Sequence, residues 1–212
     1  MILSRVLIKP TCRRLFSHRP ISTLSSNPYI KAFPSSVFEG GHLLTYLETN
    51  PPTPSLAIGV AQLPPTPQSF IENPRFTTIL YEVLRQHAAQ DPTLQAQAQA
   101  FAGPGGVIFG SPQQRTQRTA RKTTAGSGGG SQAGVGGHVH LSDLRNPPDF
   151  GRIAFPEDIL GSIEVDGHGN IIGEFEPSGT YRIITNEGIL GLTDFLRTKL
   201  VERLAEEEKM DR

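Results

Sequence analysis

The stretch that decides the fold is residues 159–176, ILGSIEVDGHGNIIGEFE, in which two runs rich in apolar residues flank a polar turn. Ile159 to Val165 alternates in polarity after Gly161, as a half-buried strand does. Asp166 to Asn170 contains glycine and asparagine, which accept positive φ, and Ile171 to Glu176 returns on the far side of the turn. This pattern predicts a β-hairpin.

A third strand and a covering helix are expected to follow the hairpin. Pro177 to Gly179 favours a turn into Thr180 to Thr185, which we predict to be the third antiparallel strand. Such a sheet leaves one apolar face open unless another element covers it. A C-terminal helix beginning near Thr193 supplies that cover with an apolar stripe, formed by Leu192, Phe195, Leu196, Leu200 and Leu204. Residues 138–209 are therefore predicted to form a small α+β domain, a three-stranded antiparallel meander packed by a C-terminal helix.

The segment before this domain is too rich in glycine to form a core. Glycine and proline contribute 22 and 18 of the 212 residues, and residues 103–137 hold many of the glycines without one Asp or Glu. Such a composition buries too little apolar surface to offset the entropy of ordering the backbone, so we expect a disordered, basic, Gly-rich linker. Its cations are candidate contacts for RNA phosphates, because each neutralised phosphate adds to affinity: Arg115, Arg118, Arg121 and Lys122.

Residues 73–102 are predicted to be helical. Asn73 and Pro74 are typical of a cap followed by a first-turn proline, and a second start lies at Asp91 and Pro92. After the first start, apolar residues recur with the helical period, at Phe76, Ile79, Leu80, Val83 and Leu84. This stripe has two interpretations. It packs against the C-terminal domain, or it inserts into a groove on a partner protein, in which case Phe76, Leu80 and Leu84 are the contacts.

Residues 22–72 contain two Pro-Pro-Thr-Pro sequences, at Pro51 to Pro54 and Pro64 to Pro67. Proline fixes φ and removes a backbone donor, so these sequences favour extended polyproline II structure. We therefore expect an extended Pro-rich arm here. The apolar run between the two sequences, Leu56 to Leu63, is far shorter than the ~18 residues that cross a bilayer, and no membrane span is predicted.

The N-terminus has the composition of a mitochondrial transit peptide. Residues 1–30 contain five Lys and Arg and no Asp or Glu, although the whole chain is balanced at 20 of each sign. We expect residues 1–21 to be a transit peptide cleaved near Phe16 or Ile21, and the protein to act in the mitochondrion, in the matrix. An ordinary basic tail is the alternative. The sole cysteine, Cys12, lies in this leader, so thiolate chemistry and Cys-type metal sites are excluded from the processed chain.

One cluster in the chain has the residue types of a metal site. His138 and His140 lie two apart, so in a strand both imidazoles point to one side, and Asp143 is near. The pattern resembles the HxH signature of metal-dependent amidohydrolases. Those enzymes spread further ligands over a barrel of ~250 residues, whereas 72 residues follow His140 here. Polar surface is the competing interpretation.

The stretch LSDLRNPPDFGRIAFPEDILG, residues 141–161, is crowded with charges and interrupted by proline. One interpretation is a capped, salt-bridged entry to the sheet. The other is an extended arm that lies on another protein, with Phe150 and Phe155 as anchors and Arg145 and Arg152 as its polar rim.

No reaction is specified by these motifs. The glycine-rich stretches match neither a phosphate-binding loop nor a dinucleotide fingerprint, no nucleophile elbow is present, and no cofactor is predicted. The expectation is a non-enzymatic mitochondrial accessory or assembly factor that binds a larger protein complex. The alternative is a mitoribosome-associated or RNA-binding protein that uses the basic linker, and the third hypothesis is a His-based metallohydrolase.

Overall fold

A computed structural model describes residues 22–35, 40–102, 136–149 and 152–211. The leader expected at 1–21 and nearly all of the linker expected at 103–137 lie outside these ranges. The described chain is α+β, because it combines three α-helices with antiparallel sheets.

The first sheet is built entirely from residues 22–72. Its five strands pair antiparallel in chain order, β1-β2-β3-β4-β5. They are β1 (Ser22–Thr23), β2 (Lys31–Pro34), β3 (His42–Thr45), β4 (Gly59–Ala61) and β5 (Ile71–Glu72).

The expectation of an extended Pro-rich arm over 22–72 is therefore wrong. The strands are two to four residues long, too short to produce a visible alternation in the sequence. Proline is accommodated at the margins of the sheet, since Pro54 begins a single 3₁₀ turn (Pro54–Leu56) and Pro34 is the last residue of β2, opposite His42. Many of the described apolar residues between the prolines are buried, among them Ile30, Leu44, Leu56 and Ile58.

Two helices follow the sheet. Helix α1 (Pro74–His87) begins at Asn73, whose side chain accepts a hydrogen bond from the backbone N–H of Arg75. After a 3₁₀ turn (Ala88–Gln90), helix α2 (Pro92–Ala102) runs to the point where the described chain breaks. The five stripe residues of α1, Phe76, Ile79, Leu80, Val83 and Leu84, are all buried.

The second sheet has the order β6-β7-β8 and is antiparallel. Its strands are β6 (Gly137–Ser142), β7 (Ile159–Val165) and β8 (Glu176–Pro177). A 3₁₀ turn (Pro156–Asp158) leads into β7. A separate two-stranded hairpin joins β9 (Ile184–Thr185) to β10 (Gly188–Ile189).

The predicted meander is not formed as expected. The predicted second strand, residues 171–176, keeps only one bridge, between Ile171 and Val165, before pairing with β7 again as β8. The backbone N–H groups of Ile172 and Gly173 both donate to the carbonyl of Glu164, which breaks the ladder at that point. The predicted third strand, residues 180–185, pairs at its end with β10 instead, and β6 takes the free side of β7.

Helix α3 (Asp194–Met210) closes the fold. The Thr193 hydroxyl accepts a hydrogen bond from Leu196 N–H and caps it. The helix packs along α1, and the Arg75 guanidinium at the start of α1 binds Glu207 and Asp211 at the end of α3. One buried cluster contains residues from the first sheet, all three helices and the second sheet, for example Leu44, Leu84, Ala98, Ile163 and Leu200.

Candidate functional site

The α1 residues proposed as partner contacts belong to the core. Phe76, Leu80 and Leu84 have no solvent-exposed surface, and the Phe76 ring stacks on Tyr46 with centroids 6.4 Å apart. A side chain covered by its own chain has no surface to offer a partner. Of the two interpretations of the α1 stripe, the structure therefore supports packing against the rest of the chain.

Asp143 is buried and fully engaged by the protein. Its Oδ1 accepts hydrogen bonds from the backbone N–H groups of Arg145 (2.9 Å) and Gly191 (2.8 Å). Its Oδ2 accepts one from the hydroxyl of Tyr181 at 2.8 Å. Burial raises the pKa of Asp143, and the Arg145 guanidinium and these hydrogen bonds oppose that rise. The carboxylate is thus a structural acceptor, not a ligand waiting for a metal.

Arg145 holds the entry to β7 in place. Its guanidinium is 3 % exposed and its Nε lies 2.7 Å from Oδ1 of the buried Asp158. Nη1 and Nη2 donate to the backbone carbonyls of Ile183 and Glu157, each at 2.8 Å. These bonds fasten the segment after β6 to the turn before β7 and to the chain near β9. We call this set of bonds the Arg145 clasp. It fits the interpretation of this stretch as a salt-bridged entry to the sheet, and not the interpretation of Arg145 as a polar rim residue.

The two histidines lie in strand β6 on the same side of the strand, as the sequence predicts. In β6, Val139 and Leu141 are buried while His138 is exposed and His140 is half-buried, so the imidazoles share one side of the strand. Asp143 lies beyond a register shift after Leu141 and faces the Arg145 clasp. Across the described ranges, no group of three or more His, Cys, Asp or Glu residues is placed to hold a metal ion.

A groove of about 260 Å³ runs along the free edge of β6, and we call it the edge groove. Its lining includes His138 and His140 from one side of the strand and Val139 from the other, so it follows the edge and not either face. The end of α2, including Phe101, forms a second side of the groove. The segment from Pro148 to Ala154, where described, forms the third. The lining is mostly apolar.

Exposed apolar side chains flank the edge groove. Ile153, which lines it, is 50 % exposed, and Phe155 two residues further is 66 % exposed. Leu144, at the other end of the same segment, is 47 % exposed. Phe155 therefore remains available as a contact, as the sequence predicts, while Phe150 lies outside the described residues. Arg152 is at the surface, 3.9 Å from Asp149.

His140 supplies the most distinctive polar group of the edge groove. Its Nδ1 is buried and has no hydrogen-bond partner among the described residues. Burial lowers the pKa of His140, and the neighbouring His138 lowers it further, so the ring is neutral at pH 7 and above.

A second hollow, of about 470 Å³, lies beside β4 and β5 and includes Gly41, Val60 and Ile71. None of its lining residues is ionisable. The edge groove is therefore the better candidate site.

The remaining predicted residues fall outside the described ranges. These are the candidate RNA contacts, Arg115, Arg118, Arg121 and Lys122. Among the helices of the described residues, none is both long and apolar enough to cross a membrane. Comparison with protein-family models, with curated protein sequences and with solved structures finds no match for this chain.

The sequence does not reveal that α2 and Ile153 line the edge groove together with β6. A signal for the strand itself is present at β6, because HVHL alternates polar and apolar residues as a half-buried strand does. No local signal marks Phe101 or Ile153, since they meet β6 only through the tertiary fold.

Proposed function

We propose that the protein is a non-enzymatic mitochondrial accessory or assembly factor that binds a larger protein complex through the edge groove. The observation that carries this proposal is a mostly apolar groove flanked by exposed Ile153 and Phe155. Exposed apolar side chains grouped around a concave surface are typical of sites that another molecule covers.

The position of these side chains on a fastened segment supports the proposal. The buried Arg145 clasp fixes the beginning of the segment, and the 3₁₀ turn Pro156–Asp158 fixes its end, with Arg145 bonded to Asp158. A backbone that is bonded at both ends of a segment loses less conformational entropy on binding than a free loop does, so more of the burial energy contributes to affinity. Ile153 and Phe155 are suited to be anchors for this reason.

The buried acid groups favour a binding role over catalysis. Asp143 and Asp158 are bonded to Arg145 or to Tyr181 inside the protein and do not line the edge groove. Burial, followed by the negative charge of Asp143, raises the pKa of Tyr181 well above its usual value, so the phenol stays a protonated donor. These groups stabilise the fold. The metallohydrolase hypothesis has no ligand set among the described residues.

The mitochondrial part of the proposal rests on the acid-free, Arg-containing N-terminus. It predicts that the full chain with a C-terminal fluorescent tag is found in the matrix. Fluorescence in the cytosol or the secretory pathway, with the native N-terminus intact, would contradict the targeting.

Proximity labelling tests the binding role. We expect the full chain, fused to a biotin ligase at its C-terminus, to label a small and reproducible set of matrix proteins. Ile153→Asp places a charge in the edge groove and should remove that set. Ile172→Asp is the matched control, because Ile172 is also an exposed isoleucine (60 % exposed) but does not line the groove. An unchanged set with Ile153→Asp would refute the edge groove as the contact surface.

Pull-down of the full chain and its Ile153→Asp variant from salt-washed mitochondria, with and without nuclease, addresses the RNA-binding alternative. If the neighbours disappear after nuclease treatment and are unaffected by Ile153→Asp, the alternative is favoured. If they resist nuclease and depend on Ile153, the accessory-factor proposal stands.

A further inference from the structure

Among the residues that the structure describes, strand β6 is an edge strand with one unpaired side. In the second sheet β6 pairs with β7 alone, through the ladder from Gly137–Val165 to Ser142–Ile159. Within the described residues, no further backbone hydrogen bond joins Gly137–Ser142 to another part of the chain. Alternate residues of an edge strand direct their N–H and C=O groups away from the sheet, and those groups need water or another strand.

The edge groove lies along this unpaired side. Its lining takes residues from both faces of β6, which places it at the strand's edge. A chain lying in the groove therefore meets two features at once, the outward backbone groups of β6 and the apolar side chains of Phe101 and Ile153. Only an extended backbone presents hydrogen-bonding groups at the spacing that a strand edge requires.

The size of the groove also favours an extended segment. A volume of about 260 Å³ is below the ~300–1,000 Å³ of sites that enclose a drug-sized ligand. A helix, at ~10–12 Å in diameter with its side chains, cannot approach the backbone of β6 within hydrogen-bonding distance. One extended chain spans β6 with about six residues and inserts one or two side chains.

The charges of the groove indicate an uncharged segment. Its charged residues, Asp149 and Arg152, lie 3.9 Å apart and offset each other at the surface. His140 carries no charge at pH 7, because burial lowers its pKa. No net charge in the described lining selects an acidic or basic partner, so an apolar side chain flanked by neutral residues fits best.

We propose that the partner adds an extended, uncharged segment as a fourth strand on the free edge of β6, with one large apolar side chain between Phe101 and Ile153. This inference rests on the proposed binding function and identifies the chemistry of the partner segment. Main-chain hydrogen bonds supply affinity, and the apolar side chain in the groove supplies selectivity.

A synthetic peptide tests the proposal directly. The probe is the acetylated and amidated heptapeptide Thr-Val-Thr-Phe-Thr-Val-Thr, titrated to millimolar concentration against the isotope-labelled full chain and followed by NMR. We expect chemical-shift changes and slower amide exchange at residues 137–142. Two further peptides carry N-methyl groups, one at the odd positions and one at the even positions.

Strand addition treats the two methylated peptides differently. Only one set of peptide N–H groups faces β6, so one peptide should bind at least tenfold more weakly while the other keeps its affinity. Capture of an apolar side chain alone would weaken neither or both equally, and that result would overturn the proposal, as would the absence of binding. A second copy of the chain occupying β6 would show as a dimer that the peptide does not dissociate, which also overturns it.

Protein variants locate the binding and separate the two proposals. Ile153→Asp should weaken the unmodified peptide at least tenfold, while Ile172→Asp leaves its affinity unchanged. If the methylated peptides differ but the mitochondrial neighbours do not depend on Ile153, strand addition stands and the proposed function fails. If the neighbours depend on Ile153 but the methylated peptides bind alike, the proposed function stands and strand addition fails.

Discussion

Arg145 fastens the segment that forms one side of the edge groove, and its side chain is only 3 % exposed. It joins Asp158 to two backbone carbonyls and lies 3.7 Å from Asp143. An arginine suits this position because its planar donors satisfy several acceptors in fixed directions. No other cation among the described residues forms a salt bridge with either of these buried carboxylates.

Replacement of Arg145 should therefore be costly. We expect Arg145→Met to lower the free energy of unfolding by about 3–5 kcal/mol, because Asp158 and Asp143 are left buried and uncompensated. Arg145→Lys should recover little, since a lysine cannot reach Asp158 and both carbonyls together. Urea denaturation followed by circular dichroism measures both changes.

Arg152→Met is the matched control at the surface. Arg152 is 78 % exposed and its partner Asp149 is more exposed still, so the pair contributes little. The free energy of unfolding should change by no more than about 0.5 kcal/mol. Equal changes in the free energy of unfolding for the two Met substitutions would show that buried Arg145 stabilises the fold no more than exposed Arg152 does.

At the scale of elements, β7 depends on a glycine whose role the sequence does not display. A Cβ at Gly161 would overlap the ring of Phe175 and the carbonyl oxygen of Glu176. Glu176 begins β8, which pairs with β7 at this point, so the absence of a side chain allows the two strands and the Phe175 ring to approach.

Gly161→Ala should consequently lower the free energy of unfolding by about 1–3 kcal/mol, as an overpacked site does. Gly179→Ala is the control, because nothing lies within 4 Å of a Cβ added there. Thermal unfolding of the two variants, compared with the parent chain, gives the result. A Gly161→Ala variant as stable as the parent would mean that Phe175 moves aside without cost.

The elements also show which parts of this fold a sequence reveals. The apolar stripe of α1 and the residues at its cap form a repeat long enough to be visible, and the five stripe residues are buried. Strand β7 coincides with the alternating run Ile159–Val165. The sequence predicts the pairing partners of β7 less well. Its neighbour β6 is separated from it by the segment that Arg145 fastens, and no local pattern indicates that the two strands pair.

The first sheet and the edge groove have no comparable signal. Strands of two to four residues between prolines carry too few positions to show a period. The groove combines α2, β6 and the segment before β7, which come together only when the chain folds. The histidine pair was visible in the sequence, but its third expected ligand, Asp143, is held by internal hydrogen bonds.

At the scale of the whole molecule, the first sheet and the second sheet share one buried cluster. Leu44 in β3 and Ile163 in β7 both belong to it, with Phe76 and Leu84 from α1. An extended arm would have made residues 22–72 dispensable for the stability of the rest. Because the two sheets share one cluster, residues 22–72 should instead contribute to the stability of the second sheet. A cavity on one side of the cluster removes contacts that support the other side.

Leu44→Ala tests that claim. We expect it to lower the free energy of unfolding by about 2–5 kcal/mol, because Leu44 is fully buried and the cavity it leaves cannot collapse completely. Native-state amide exchange at Ile163, in the other sheet, should accelerate in step with the global loss. Ile71→Ala, at a half-exposed position of β5, should change the stability by no more than about 0.5 kcal/mol. Unaltered exchange at Ile163 in Leu44→Ala would show that the two sheets unfold independently and that the groove does not depend on the N-terminal strands.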